Sequence, residues 1–291
     1  MQIYDLAISY EWEFDTDLIN LMEYKLQNKG LRTYVIKKFN LLETIEKLSN
    51  KELHFIAYFD RAGDVDYDYA PLTNLLIRKK TYLINPYSKV VKYINKAIMH
   101  NLLLRNKIHV PFTIILPSIK SRQDTVISIK DLEHIGKPFV IKPAFFTGGK
   151  EGVVLNAQSL FDVIEERKKL PDDRYLIQKR IYPKYLDGKR AWFRIIWAFG
   201  EVLPSWWNDL TDIYDILTEE EIERYNLHKL LTITKKIAKI SGLDYFSTEI
   251  ALSTDGEFYV IDYLNDQCDM RFQSIHPDGV PDIIVNKFID N

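Results

Sequence analysis

STEIALSTDGEFYVIDYLND, residues 247–266, consists of two apolar runs joined by a short polar turn, and its second run empties into acids. Asp255 and Gly256 suit a turn that needs positive φ, so the stretch reads as an antiparallel hairpin. Pairing outward from that turn brings Glu249 and Asp262 to the same end of the ladder, opposite one another to within one residue of register. Carboxylates that close repel unless a cation or a shared proton separates them. No His or Cys cluster accompanies them, and hard oxygen donors fit magnesium, which is usually held by one or two carboxylates plus substrate phosphates. Asn265 adds a neutral oxygen. Taken singly, each acid also reads as a water-solvated strand end.

Upstream, VIKPAFFTGGKEGVV places Lys142 at the end of an apolar strand, ahead of Thr147, Gly148, Gly149, Lys150 and Gly152. Glycines let backbone amides close on phosphate oxygens, and a strand-borne lysine is a fixed cation for the same anion. The spacing is not that of a Walker loop, and alone the Gly-Gly pair is an ordinary turn. In RYLIQKRIYP, a strand runs into Gln178, Lys179, Arg180 and Ile181. Such a segment can offer backbone donors and acceptors to a nucleobase edge while apolar side chains cover its faces. Alone it is a common strand end.

Apolar runs and helix-period segments alternate over residues 1–90: IYDLAIS, DTDLINLMEYKLQNKG, LRTYVI, NLLETIEKLSN, LHFIAYF and TYLIN. This is the pattern of a parallel βαβ sheet. Asp15 or Thr16 can cap the first helix and Gly30 can end it. The first turn lacks the glycine fingerprint of nicotinamide-binding domains. SKVVKYINKAIMHNLLLRNKIHV reads as one long helix that ends before an extended entry at Val110 and Pro111, and a second long helix is expected over about 218–241.

Lys and Arg number 39 against 41 Asp and Glu, so no global field points to nucleic acid or to a membrane surface. With no basic leader and no apolar run of spanning length, a soluble, unexported, cytoplasmic protein is expected. A hydrophobic share of 46% in 291 residues is enough for sizeable cores. The single cysteine, Cys268, excludes an internal disulfide and a thiolate zinc cage. The acids around it raise its pKa.

The order of these elements resembles the ATP-grasp superfamily, near its carboxylate–amine ligase branches such as D-alanine–D-alanine ligase, glutathione synthetase and the ribosomal-protein glutamate ligases. The resemblance covers essentially the whole chain. It implies an α/β and α+β architecture: a parallel α/β pre-ATP-grasp domain over 1–90, a helix and small lobe with the phosphate loop over 91–181, and a C-terminal lobe with the metal site over 182–291. Lys96 is similar to the family lysine that opens a helix running to Ile108, Val110 and Pro111. Lys142 in KPFVIKP matches the second family lysine, and Thr147 to Gly152 match the loop that closes over phosphates. Gln178 to Ile181, including Lys179, match the adenine hinge, with glutamine where an acid is common. Arg194 in AWFRIIWAFGEV resembles the arginine that binds a phosphate or acyl-phosphate oxygen, and Glu249 and Asp262 correspond to the magnesium acids. The chain departs from the family where Tyr263 and Leu264, rather than one residue, separate Asp262 from Asn265. A bulge restores the geometry, or Asp266 substitutes for Asn265.

The implied activity uses ATP and Mg2+ to phosphorylate a carboxylate, and an amine or thiol then attacks the acyl phosphate. Kinase chemistry on a hydroxyl and a non-catalytic nucleotide-binding module are the alternatives, the latter motivated by the altered Asp262 spacing. The carboxylate and amine are not identified by sequence, and a homodimer is compatible with it. Arg61 sits where a parallel strand ends and is placed to meet a substrate carboxylate; a solvated loop is an equal reading. Asp269 and Arg271 follow the metal segment and point toward an acceptor, with Arg271 able to hold an anion in bidentate fashion. Trp197, Trp206 and Trp207 line a pocket or fill the core.

Overall fold

The computed structural model describes residues 1–121, 127–145 and 152–291. Its first part contains β1 (Gln2–Tyr10), α1 (Thr16–Asn28), β2 (Thr33–Ile36), α2 (Leu41–Ser49), β3 (Leu53–Arg61), α3 (Ala70–Arg78) and β4 (Tyr82–Ile84). The four strands form one parallel sheet in the order β2-β1-β3-β4. Parallel pairing puts every strand's carboxyl end at one edge, where Tyr10, Ile36 and Arg61 lie. Gly30 turns the chain out of α1 with φ +82°, as expected of a helix-ending glycine.

Two helices follow, α4 (Tyr87–Tyr93) and α5 (Lys96–Arg105), where a single long one was expected. Asn95 breaks the run: it is extended, and its side-chain oxygen accepts from the amides of Ala97 and Ile98. That cap starts a new helix, with Lys96 as its first residue. The small lobe then comprises β5 (Thr113–Leu116), α6 (Ile129–Ile135), β6 (Phe139–Pro143), β7 (Val154–Ala157), α7 (Leu160–Lys169) and β8 (Tyr175–Lys179). Its antiparallel sheet, ordered β5-β8-β6-β7, closes over a core of its own built from Leu116, Ile135, Phe139, Ile141, Val163 and Ile177.

The last lobe contains β9 (Tyr185–Leu186), β10 (Lys189–Arg190), β11 (Trp192–Ala198), β12 (Glu201–Asn208), β13 (Ile213–Ile216), α8 (Glu219–Arg224), α9 (His228–Ser241), β14 (Tyr245–Leu252), β15 (Phe258–Asn265) and α10 (Asp282–Asp290). The expected single helix over 218–241 is interrupted where Asn226 takes φ +54°, a left-handed conformation that asparagine tolerates. Five strands pair antiparallel in the order β13-β12-β11-β14-β15. One face packs Phe193, Ile195, Phe246 and Ile250 against Leu230 and Ile237 of α9. The opposite face turns to the N-terminal domain: Trp192, Ile196 and Tyr245 share one core with Ile8, Leu18, Ile19 and Phe59, closed by Phe288 of α10. Asn85, just beyond β4, joins these parts by polar bonds. Its Nδ2 donates to the Tyr245 carbonyl at 2.7 Å, and its Oδ1 accepts from the Asp244 amide at 2.8 Å. No helix among the described residues is long and apolar enough to cross a membrane.

Candidate active site

The hairpin forms as its sequence dictates. Gly256 has φ +88°, and the Asp255 carboxylate accepts from the Glu257 amide at 2.9 Å. Glu249 of β14 and Asp262 of β15 are direct register partners. Farther out, Ser247 pairs with Asn265, so two steps along β14 answer three along β15. That is a bulge, and it resolves the unusual Asp262 to Asn265 spacing. In a regular strand, residues three apart face opposite sides. Here Tyr263 and Leu264 both enter the core on the side where α5 packs against β15, and Asn265 returns to the face of Asp262, donating from Nδ2 to its Oδ2 at 2.8 Å. On the other side of Asp262, one step from Glu249 to Ile250 answers two from Asp262 to Val260, which makes Ile261 the extra residue. Its carbonyl is taken by Lys142 Nζ at 2.8 Å.

Three cations reach these acids from three elements. Lys142, on β6, is 5% exposed; burial pushes its pKa down to about 8, although Asp262 opposes this. Lys96 Nζ, from the first turn of α5, lies 3.6 Å from Asp262 Oδ1. Arg194 of β11 is the cross-strand partner of Glu249, with Nη1 3.7 Å from Oε1, and its guanidinium stacks 5.0 Å from the Trp207 ring centroid. Glu249 Oε2 also accepts from Trp192 Nε1 at 3.0 Å. Burial raises the pKa of Glu249, reinforced by Asp262 and opposed by Arg194. Burial works in the same direction on Asp262, but the ammonium groups of Lys96 and Lys142 outweigh it and hold that carboxyl below its ordinary range.

The donor set fits a magnesium ion that arrives with its substrate. Among the described residues no three His, Cys, Asp or Glu side chains converge into an all-protein cage. It offers two carboxylates, and Asp262 Oδ1 is buried with no hydrogen-bond partner. Magnesium typically completes such a set with phosphate oxygens and water. Arg194 Nε is likewise buried and lacks an acceptor. Fixed cations around a pair of acids, with a donor and an acceptor left over, suit a polyphosphate carrying its own divalent ion.

Other expected site residues lie elsewhere or are engaged. Thr147, Gly148, Gly149 and Lys150 are outside the described residues; Gly152, next to them, has φ +72°. Gln178 is 2% exposed, and its Nε2 donates inward to Thr113 Oγ1 at 3.0 Å and Tyr263 Oη at 2.8 Å. What the hinge can offer a base is therefore backbone, together with the half-buried Ile181. Lys179, exposed at the end of β8, donates its amide to the Phe112 carbonyl at 2.8 Å.

Arg61 corrects the expectation of a substrate arginine. It is buried, and Asp15 of the chain itself grips it through Nε at 2.8 Å and Nη2 at 2.7 Å. The Asp15 carboxylate consequently makes no cap for α1. Asp266 does not replace Asn265: its Oδ1 accepts from Asn85 at 2.5 Å in the domain junction, where burial pushes its pKa up to about 7. Asp269 and Arg271 bind each other, Nη2 to Oδ2 at 2.7 Å, and Arg271 also pairs with Asp278 at 2.8 Å. Burial raises the Cys268 thiol to about 12. Of the three tryptophans singled out in the sequence, Trp206 packs on Phe193 in the core, Trp197 donates to the Leu243 carbonyl, and Trp207 adjoins the site, as does Trp192, which the sequence did not single out. Sequence reasoning missed Tyr263 and His100, because a lone tyrosine and a lone histidine carry no spacing signal.

Neither protein-family models nor curated protein sequences match the chain. Solved structures do. D-alanine–D-alanine ligase from Bacillus anthracis, complexed with ATP, superposes with a TM-score of 0.65 at 16% identity, covering 99% of this chain and 95% of that one. A RimK domain ATP-grasp protein from Sphaerobacter thermophilus gives 0.63 at 17% identity, covering 98% of each. The ATP-grasp ligase PsnB, complexed with its precursor peptide PsnA2 and AMPPNP, gives 0.62 at 14% identity, covering 98% of this chain and 97% of that one. At these identities the likeness is one of fold.

Proposed function

Starting from the ATP-grasp fold of this chain, we propose that it is an ATP- and magnesium-dependent ligase that joins a carboxylate to an amine, or to a thiol, through an acyl phosphate. The observation that supports this best is the convergence of Lys96, Lys142 and Arg194 on Glu249 and Asp262, from five separate elements of two sheets and a helix. Phosphoryl transfer asks a protein mainly for positioning and charge neutralisation. Magnesium, when bound, would neutralise and align the phosphate oxygens. Glu249, Asp262 and Asn265 would hold it.

In this reading Lys142 and Lys96 bind phosphate oxygens from the side opposite the hairpin. Both are anchored before the nucleotide arrives, so little reorganisation accompanies the reaction. Arg194 serves the transferred phosphoryl group or the acyl-phosphate oxygen, and Trp207 and Glu249 fix its plane. The backbone of Lys179 to Ile181 receives adenine, with Thr147 to Lys150 as the phosphate loop. Transfer of the γ-phosphoryl group to the substrate carboxylate gives ADP and an acyl phosphate. Attack by the amine at the acyl carbon then expels inorganic phosphate and releases a proton. Asp269 and Arg271, which bind each other, are left as the candidates nearest an acceptor in sequence. Dependence on ATP favours a cytoplasmic setting.

The test is a screen of amino acids, peptides and polyamines for magnesium-dependent ADP release with purified protein. Inorganic phosphate released together with a condensed product supports the ligase. A stable phosphorylated product would instead identify a kinase, and nucleotide binding with no acceptor-dependent turnover would identify a regulatory module.

A further inference from the structure

Tyr263 lies where four elements of the nucleotide site meet, without contributing a ligand to it. It follows Asp262 on β15, and the alternation of strand side chains turns it away from the acids into the interior, where it is 1% exposed. Its hydroxyl accepts from Gln178 Nε2 of β8 at 2.8 Å and lies 2.7 Å from His100 Nδ1 of α5. Gln178 supplies a proton to the phenol oxygen, and the phenol's own proton can go to His100 Nδ1 in the tautomer that leaves that nitrogen unprotonated. Burial, with Lys142 nearby, pushes the His100 pKa down to about 4, which leaves a neutral ring able to accept it. The ring centroid of Tyr263 lies 5.2 Å from Lys142 Nζ of β6.

The four elements that meet at this phenol carry Asp262, the hinge, Lys96 and Lys142. Two belong to the small lobe and one to the C-terminal sheet, with α5 between them. Separation of the lysine-bearing lobe from the acid-bearing strand governs whether cations and metal can grip the same phosphates. A group bonded to both lobes fixes that separation.

We propose that Tyr263 is a positioning residue of the nucleotide site, coupling the hinge strand to the metal strand and setting the spacing between the Lys142 ammonium and Asp262. The proposal rests on the nucleotide-binding reading above. Removing the hydroxyl costs Gln178 one of its two N–H bonds and leaves His100 Nδ1 without this partner, and both lobes can then shift. Removing Gln178 from the other side breaks the same coupling.

Calorimetric titration of MgATP into the full chain, its Tyr263→Phe and Gln178→Leu variants and the double variant tests this, alongside Tyr175→Phe. Tyr175 is a buried small-lobe tyrosine whose hydroxyl donates to the Glu166 carbonyl at 2.9 Å, away from the site, and it controls for mere loss of stability. Each single variant at 263 or 178 is expected to raise the MgATP Kd roughly three- to tenfold. The double variant is expected to be no weaker than the worse single, because both cut one network. Tyr175→Phe lowers the melting temperature and leaves Kd unchanged. Binding within about twofold of wild type in the Tyr263 and Gln178 variants, or additive losses, would overturn the proposal. If Tyr263→Phe does not fold, Gln178→Leu carries the same reading alone. A wild-type chain that binds no MgATP would refute the nucleotide reading itself.

Discussion

Replacing Asp15 by asparagine should cost this protein a large part of its stability. The Asp15 and Arg61 side chains are 4% and 2% exposed and share two charge-assisted bonds of 2.8 and 2.7 Å. Arg61 Nη2 also donates to the Cys268 carbonyl at 3.3 Å, so the pair ties the N-terminal domain to the segment after β15. Asparagine keeps the shape but leaves a buried guanidinium without its counter-charge. Breaking such a pair from one side typically costs about 3–5 kcal/mol. Domains commonly have only ~5–15 kcal/mol in total. At about 2–4 °C per kcal/mol, the melting temperature should fall by roughly 6–20 °C. Urea unfolding followed by tryptophan fluorescence measures the free energy directly. Asp15→Leu combined with Arg61→Met should recover most of the loss, because an apolar pair of similar volume replaces buried charges at little cost. That double variant should still bind MgATP. A single Asp15→Asn variant within about 1 kcal/mol of wild type would show that the pair is not buried as described, and would reopen Arg61 as a substrate arginine.

Glu249→Gln or Asp262→Asn should each lower magnesium-dependent turnover at least about a hundredfold. Each should leave the circular dichroism spectrum intact; Glu249→Gln should keep the melting temperature equal or higher, since burial and Asp262 disfavour its charge, whereas Asp262→Asn should lower it, because Lys96 and Lys142 lose their counter-charge; full activity in either would contradict the assignment of the acids. His100 has its pKa lowered from 6.5 to about 4, so the folded protein binds fewer protons than the unfolded chain between those values. The resulting stability is complete above pH 6.5 and is lost as pH falls toward 4. The loss should exceed that of His100→Asn by something on the order of 3 kcal/mol, and parallel pH–stability curves for the two proteins would exclude a buried neutral imidazole. The Cys268 thiol, buried and raised to about 12, should resist an aromatic disulfide reagent in the native state and react only on unfolding. Rapid native labelling would show that the segment opens.

Local signals in the sequence were those that survive folding unchanged. Glu249 and Asp262 were readable because a tight turn at Asp255 and Gly256 fixes its flanking register almost by itself. Lys142 was readable because it ends an apolar strand run, whereas Arg194 was singled out only through the resemblance to the ATP-grasp superfamily. Helix breaks were not, since Asn95 and Asn226 act through a side-chain bond and a left-handed backbone that hydrophobic periodicity does not register. Arg61 was misplaced for a different reason. The end of a parallel strand is where ligands usually bind, but its partner, Asp15, is 46 residues away and was read as a helix cap. Tyr263, lying within the extra residues of the metal strand, was counted as a spacer; its partners at 100 and 178 come from other elements.

The core shared by the N-terminal domain and the five-stranded sheet has a mechanical consequence. Ile8, Leu18 and Phe59 interlock with Ile196, Tyr245 and Phe288, and Asn85 is bolted to Asp244 and Tyr245, whereas the small lobe folds largely around hydrophobic residues of its own. Two of the three parts thus travel as one anvil. Any opening between the parts would therefore fall at the small lobe, and it would have to break the bond from Lys142 Nζ to the Ile261 carbonyl and pull Ala144 and Leu176 out of the larger core.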